Sequence, residues 1–178
     1  EGDLGDSVHL IDRGRVAIRI TTPAGEVATI RVLRDGQHFG DLAVLGSHRR
    51  SATVLALEKA ETLELTGDVI RDFADQHRPF ERAVTKVIAQ QLRSQSALLL
   101  DAMYLPAPRR LARRVVELVA LYDGGDIPLT QDDLAGMSGA TRQTVNQLLT
   151  EWRDQGIVEL GRGRLTVVDT ARLERVAR

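Results

Sequence analysis

Apolar and polar residues alternate along the first third of the chain. Val16–Thr21 reads VAIRIT, with the period of two that turns one face of a strand inward and the other outward. The stretch TPAGE (Thr22–Glu26) is rich in turn-forming residues, and VATIRVL (Val27–Leu33) resumes the strand pattern. Gly14 in DRGRV and Gly36 in RDGQ mark further turns, and SATVLAL and ETLEL repeat the short strands. Strands at this spacing predict a small antiparallel sandwich or barrel over residues 1–65.

From Pro79 to Leu105 the period becomes helical. The segment has no Gly, its only Pro is its first residue, and Val84, Val87, Ile88, Leu92, Gln95, Leu98, Leu99 and Ala102 recur at helical spacing. Such a helix is ~40 Å long, longer than a compact domain of this size needs. Its stripe therefore predicts an interface, with Val84, Val87, Ile88, Gln91, Gln95, Leu98, Leu99 and Ala102 facing a second copy. Pro106 and Pro108 in LPAPRR are expected to stop the helix and leave a hinge at Leu105–Arg109. RRLARRVVELVALYDGG then predicts an amphipathic helix closed by Gly124 and Gly125. The expected domains are 1–78, 79–105 and 106–178.

The segment from Leu129 to Gly156 carries the most information. Thr130 and Asp133 form a T-x-x-D start signal, so a short helix is expected from about Gln131. Gly139 falls where a tight turn needs positive φ. Thr141 can cap a second helix with an apolar face of Val145, Leu148, Leu149 and Trp152. Two short helices joined at a glycine make a helix-turn-helix. The spacing of Ala135, Gly139 and Val145 resembles the bacterial form of that motif, with Ser138 standing where an aliphatic residue is usual. GIVELGRGRLTVVD then reads as a hairpin, with strands Ile157–Leu160 and Leu165–Val168 and a tip at Gly161–Arg164. That hairpin is the wing of a winged helix. In this geometry the start of the second helix enters the major groove. Arg142, Gln143, Asn146 and Gln147 face the bases, since arginine matches guanine and Gln or Asn matches adenine. Thr130, Thr141 and Thr144 lie at the same edge, and Arg162 and Arg164 suit phosphates.

Composition narrows the remaining chemistry. The chain has 178 residues, 43% of them hydrophobic, and a formal net charge of −1, which describes a globular chain. Residues 106–178 hold 11 basic and 10 acidic side chains, against 13 and 15 in residues 1–105. Contact with DNA must then come from local placement of arginine. There is no cysteine, which removes disulfides, thiolate metal sites and thiol redox chemistry. His9, His38, His48 and His77 lie apart without metal-ligand spacing, and no catalytic motif occurs, so neither a metal nor an enzyme activity is expected. No apolar run approaches the ~18 residues of a membrane span; a cytoplasmic protein without a membrane partner is expected.

The stretch FGDLAVLGSHRRSAT (Phe39–Thr53) sets a carboxylate, Asp41, nine residues from a guanidinium, Arg50. A surface ion pair is one reading, and a ligand with hydroxyls and a negative charge is the other. Together with ATRQTVNQLL in the second helix, this stretch resembles the Crp/Fnr transcription regulators along essentially the whole chain. The resemblance implies an α+β architecture: a jelly-roll cyclic-nucleotide-binding domain, a long dimerisation helix and a C-terminal winged helix-turn-helix. It implies cyclic AMP as ligand, held by Phe39, Gly40, Asp41, Leu42, Ala43, Arg50 and Ser51, with Gln95 and Ser96 on the long helix. Arg50 and Ser51 would hold the phosphate, Gly40 the backbone and Asp41 the ribose, while Arg49 stays exposed. The family usually has Glu in place of Asp41, longer by a methylene of about 1.5 Å. It also has some thirty residues before GDSVHLIDRGRV, so a chain lacking its N-terminal segment is expected. The implied partners are a palindromic operator, a second copy and RNA polymerase. A regulator with another ligand or none, and a module that binds protein instead of DNA, remain open.

Overall fold

A computed structural model describes residues 1–47, 49–122 and 125–178. His48 and Gly124, both considered above, lie outside the described residues. In chain order the elements are β1 (Ser7–Arg13), β2 (Val16–Thr21), β3 (Val27–Leu33), β4 (His38–Phe39), a π-helical turn (Ala43–Ser47), β5 (Thr53–Ala56), β6 (Glu61–Thr66), α1 (Gly67–Gln76), α2 (Arg78–Tyr104) and α3 (Ala107–Val119). They continue as β7 (Asp126–Ile127), α4 (Gln131–Ser138), α5 (Arg142–Asp154), β8 (Val158–Gly161), β9 (Arg164–Val167) and α6 (Thr170–Ala177). The mixed α and β content is that expected. Two compact units result, one of Glu1–Val16 with Leu33–Met103, the other of Ala17–Val32 with Tyr104–Arg178.

In the first unit β1 is the centre of an antiparallel sheet, order β4-β1-β6. Val8 stands opposite Leu65, and Leu10 opposite Leu63. The alternation in SVHLIDR buries Ser7 and Ile11 while Leu10 faces out. Gly14 takes φ +91 in the turn after β1. Helix α1, which the sequence pattern did not predict, starts at once after β6. A Cβ on Gly67 would lie 2.9 Å from the Asp6 carbonyl, so the tight entry needs glycine. Phe73 then stacks on His77 at 4.1 Å and meets Phe80 edge-on at 5.2 Å. Helix α2 runs 27 residues, as the long apolar stripe predicts. Ile88, Leu92, Leu99 and Met103 on it are exposed.

The second unit is built on the sheet β7-β9-β8 and a core that includes Leu111, Val115, Val145, Leu149, Trp152 and Leu173. Two expectations need correction here. Pro106 precedes α3, but Pro108 lies in its first turn, where the missing N–H is an orphan in any case; only Pro106 breaks the chain. Helix α3 ends at Val119, before the glycines, because Leu121 and Tyr122 both donate to the Leu118 carbonyl in a tightened turn. The chain also closes with a helix after the wing. Asp169 caps α6 by accepting from the Arg172 N–H at 2.9 Å, and Leu173 packs it into the core.

The β2–β3 hairpin belongs to this unit, with its turn closed by Thr22 N–H to the Glu26 carbonyl at 2.7 Å. Its partner is the start of α4, where Thr130 and Asp133 form the capping box that the T-x-x-D signal predicts. Asp133 Oδ2 accepts from the Thr130 N–H (3.0 Å) and hydroxyl (2.6 Å). Its Oδ1 accepts from the Thr29 hydroxyl (2.6 Å) and from Arg19 Nη2 (3.0 Å). Burial pushes this carboxyl up, but the hydrogen bonds from Thr130 and Thr29 and the Arg19 charge outweigh burial and hold it below the ordinary carboxylate range. A depressed folded-state value adds stability that is present above the unfolded value and lost as pH falls through the folded one. Urea unfolding should therefore show the wild type more stable than Asp133→Asn by a constant margin from about pH 7 to 5, narrowing below about pH 4. A margin unchanged down to about pH 3 would contradict this assignment.

Candidate nucleotide and nucleic-acid sites

In the first unit the chain from Phe39 to Arg50 folds around Ser7. Phe39 ends β4 and stacks on His9 across the strand pair, ring centres 5.0 Å apart. Gly40 takes φ +91, and a Cβ there would lie 2.7 Å from the Ser7 carbonyl and 2.5 Å from Arg50 Nη1. Asp41 follows, half-buried, and opens the helical turn; its Oδ2 is 3.8 Å from His38 Nε2. Leu42 is exposed and Ala43 buried. The Arg50 guanidinium enters this turn from the other side. Its Nη1 donates to the carbonyls of Ser7 (2.7 Å) and Gly40 (3.2 Å), and its Nη2 to the Ser7 hydroxyl (2.9 Å). A Cβ on Gly5 would also run into the guanidinium. Two glycines and a serine thus form a cradle sized for one arginine. Three of its five N–H donors are spent on the cradle, which leaves two for an anion.

Gly40, Asp41 and Arg50 are thus brought together. Ser51 is exposed beside them. Gln95 and Ser96 are exposed on α2, where Ser96 donates back to the Leu92 carbonyl at 3.0 Å. Among the described residues no hydrogen bond joins either to the Phe39–Arg50 turn. Arg49 is exposed as expected and reaches the Gly2 carbonyl at 2.7 Å. Sequence reasoning missed Ser7, although the alternation of β1 turns it inward on the same face as Ile11.

In the second unit the glycine of the helix-turn-helix behaves as predicted, with Gly139 at φ +61. Val145, Leu148, Leu149 and Trp152 are all buried. Ser138, which stands where an aliphatic residue is usual, is buried and satisfied within its own helix by the Leu134 carbonyl at 2.7 Å. Thr141 caps α5 by accepting from the Thr144 N–H at 3.1 Å. Arg142, Gln143, Asn146 and Gln147 stand exposed on the opposite face. Three of them are held by neighbours. Arg142 Nη1 pairs with Asp132 at 3.0 Å, Asn146 donates to Gln131 at 3.0 Å, and Gln147 donates to Glu151 at 3.3 Å.

The wing turns more tightly than expected. Gly161 already pairs with Arg164, so the tip shrinks to Arg162 and Gly163, with Gly163 at φ +68. Arg164 begins β9 and lies 3.5 Å from Asp126 on β7. A cleft of about 300 Å³ between the first turn of α4 and the wing is lined by Gln131, Asp132, Arg142, Gly163 and Arg164 among others. The Arg110 guanidinium, also unforeseen, ties Leu105 to the turn of the motif. It donates to the carbonyls of Leu105 (2.8 Å), Ser138 (2.9 Å) and Gly139 (3.0 Å). Among the described residues no group of three acidic or histidine side chains could hold a metal ion, and no helix is long and apolar enough to cross a membrane.

Residues 1–77 match the cyclic nucleotide-binding domain, and residues 109–176 the Crp-like helix-turn-helix domain. The chain is 29% identical over 178 residues to the cyclic AMP receptor protein of Thermus thermophilus, covering 99% of this chain and 82% of that one. It is 25% identical over 185 residues to the CRP-like cAMP-activated global transcriptional regulator of Mycobacterium tuberculosis, covering 100% and 83%. In fold it is similar to a crystal structure of another CRP-family transcriptional regulator from Thermus thermophilus, with a TM-score of 0.80, 23% identity and coverage of 99% and 90%.

The cradle makes a stability test specific. Gly40→Ala should cost about 1–3 kcal/mol in urea unfolding, because the position has positive φ and no room for a Cβ. Gly46→Ala, where a Cβ meets nothing within 4 Å, should stay within about 0.5 kcal/mol of the wild type. Equal effects at the two positions would show that the cradle does not constrain the turn.

Proposed function

The chain belongs to the Crp/Fnr family of transcription regulators, and on that premise we propose that it acts as a homodimeric, sequence-specific DNA-binding regulator controlled by cyclic AMP. The observation that carries the proposal is a guanidinium fixed beside Gly40 and Asp41 in the nucleotide-binding domain. A cyclic nucleotide offers one phosphate charge and a ribose hydroxyl. The two remaining Arg50 donors suit the phosphate, since charge-assisted hydrogen bonds to phosphate are among the strong ones. Asp41 suits the ribose hydroxyl as an acceptor, and Ser51 can add a donor to the phosphate. The relatives' names support cyclic AMP over other nucleotides.

The long helix supports the dimer. Val84, Ile88, Gln91, Gln95, Leu98 and Ala102 alternate at spacings of four and three on α2, the repeat of a coiled-coil seam. Val87, Ile88 and Leu99 are exposed in the single chain. Pairing two such helices would bring two recognition helices to one operator. Half-sites about 34 Å apart then imply a palindrome. Arg142 would read guanine, Gln143, Asn146 and Gln147 would complete the readout, and Thr130, Thr141, Thr144, Arg162 and Arg164 would position the backbone.

Two observations favour a second reading. Arg50 already has three bonds within the β domain, and Asp41 is shorter than the family's glutamate. On that reading Arg50 is a structural tie, and the regulator takes another ligand or none. Calorimetry decides between them. Wild-type protein should bind cyclic AMP, and Arg50→Ala should lose at least about 30-fold in affinity, as removal of one partner of a desolvated charge pair does. Undiminished affinity in Arg50→Ala, or no binding to the wild type, would establish the second reading. On the DNA side, Arg142→Ala should lose about 1–3 kcal/mol on a duplex selected from random sequence and relax one base position. An equal loss on random DNA would make Arg142 a phosphate contact only.

A further inference from the structure

The two helices of the helix-turn-helix also meet through side chains at their exposed edge. From the first turn of α4, Gln131 accepts from Asn146 Nδ2 at 3.0 Å, and Asp132 accepts from Arg142 Nη1 at 3.0 Å. That turn is itself fixed, because Thr130 and Asp133 close the capping box on either side of these two residues. The ion pair is open to water, with the Arg142 side chain 70% exposed and that of Asp132 58%. As a stabiliser such a pair is worth little. Its consequence lies in which atoms it occupies and where it sets a negative charge.

Arg142 gives only Nη1 to Asp132, and among the described residues its Nε–Nη2 edge has no partner. A guanidinium edge of that kind matches guanine O6 and N7. A guanine can therefore meet Arg142 while the pair with Asp132 stands, and the aspartate limits the orientations of the fork. A backbone phosphate has a different effect. When it draws the guanidinium off, Asp132 stays behind without its partner and close to a polyanion. The surrounding segment has little surplus charge to offset that repulsion, since residues 106–178 carry 11 basic and 10 acidic side chains. The wing repeats the arrangement, with Arg164 3.5 Å from Asp126.

We propose that Asp132 is a specificity-determining residue for DNA: it aims Arg142 at guanine through Nη1 and disfavours binding through phosphates alone. It works through Arg142 and is in that sense a positioning residue. Specificity is a difference of affinities, so a repulsive group can sharpen it as well as an attractive one. This inference rests on the DNA-reading function proposed above, and not on control by a nucleotide.

Asp132→Asn tests it, because it keeps the shape and an oxygen toward Arg142 but removes the charge. Fluorescence anisotropy over a range of salt compares a duplex selected from random sequence by the wild type with its scrambled counterpart. Both are measured with and without cyclic AMP, and the comparison uses the state that binds the selected duplex more tightly. Asp132→Asn should bind scrambled DNA about 3–10-fold more tightly, with a salt slope steeper by about one, because Arg142 then neutralises one more phosphate. The ratio of selected to scrambled affinity should fall about tenfold. Asp132→Glu keeps the charge and should recover most of that ratio. In an Arg142→Ala background there is no guanidinium to aim, so adding Asp132→Asn should leave the ratio where Arg142→Ala set it. A wild-type ratio in Asp132→Asn overturns the inference, as does a ratio in Asp132→Glu as low as in Asp132→Asn. A further tenfold fall in the Arg142→Ala background overturns the positioning role. All three of these results leave the wild-type preference for the selected duplex intact. A wild type that binds both duplexes alike overturns the DNA-reading function, and this inference with it.

Discussion

A carboxylate removed from water must be met by donors, and Asp133 is met by four: the Thr130 N–H and hydroxyl, the Thr29 hydroxyl and Arg19. Leaving such a group short of partners costs more than each bond returns, because the desolvation penalty is then uncompensated. This requirement fixes where α4 begins. With that start fixed, Gly139 falls at the turn, Thr141 at the cap of α5, and Asp132 and Gln131 beside Arg142 and Asn146. The proposed DNA-reading face is thus positioned from beneath by a residue that has no reason to touch DNA.

Arg50 plays the corresponding part in the β domain. Its guanidinium joins β1 to the Phe39–Ser47 turn through Ser7 and Gly40, and two glycines clear the space for it. A cation held this way is pre-organised, so less side-chain freedom is lost when an anion arrives. On the proposed reading face, by contrast, Arg142 and Arg164 are exposed and each sits beside an aspartate. Exposed pairs of that sort are worth little, so DNA phosphates and bases can displace them easily. The pairs also explain how a winged helix with 11 basic and 10 acidic residues around it can still present arginine where it is needed.

Elements set by local chemistry were legible in the sequence. Alternation revealed β2 and β3, the unbroken apolar stripe revealed α2, and the T-x-x-D signal with Gly139 and Thr141 revealed α4 and α5 almost to the residue. Elements whose stability comes from tertiary packing were not. Helix α1 is short and mostly exposed, and α6 depends on burying Leu173 against α3. The end of α3 was misplaced because the glycines that would close a helix come after a turn already tightened at Leu118. The sequence pattern singles out Gly40, Asp41 and Arg50, but Ser7, which completes the cradle around Arg50, is distant in sequence. Likewise Asp133 was recognised as a cap, whereas its bonds to Thr29 and Arg19 span more than a hundred positions. No local pattern carries such a pairing.

The central claim is that one chain senses a cyclic nucleotide and reads DNA as a pair. Anisotropy of a labelled palindromic duplex, titrated with wild-type protein in the absence and presence of cyclic AMP at fixed salt, tests it most directly. The account predicts two chains per duplex and an affinity raised by the nucleotide on the palindrome but not on scrambled DNA. One chain per duplex, or curves that coincide with and without the nucleotide, would contradict it.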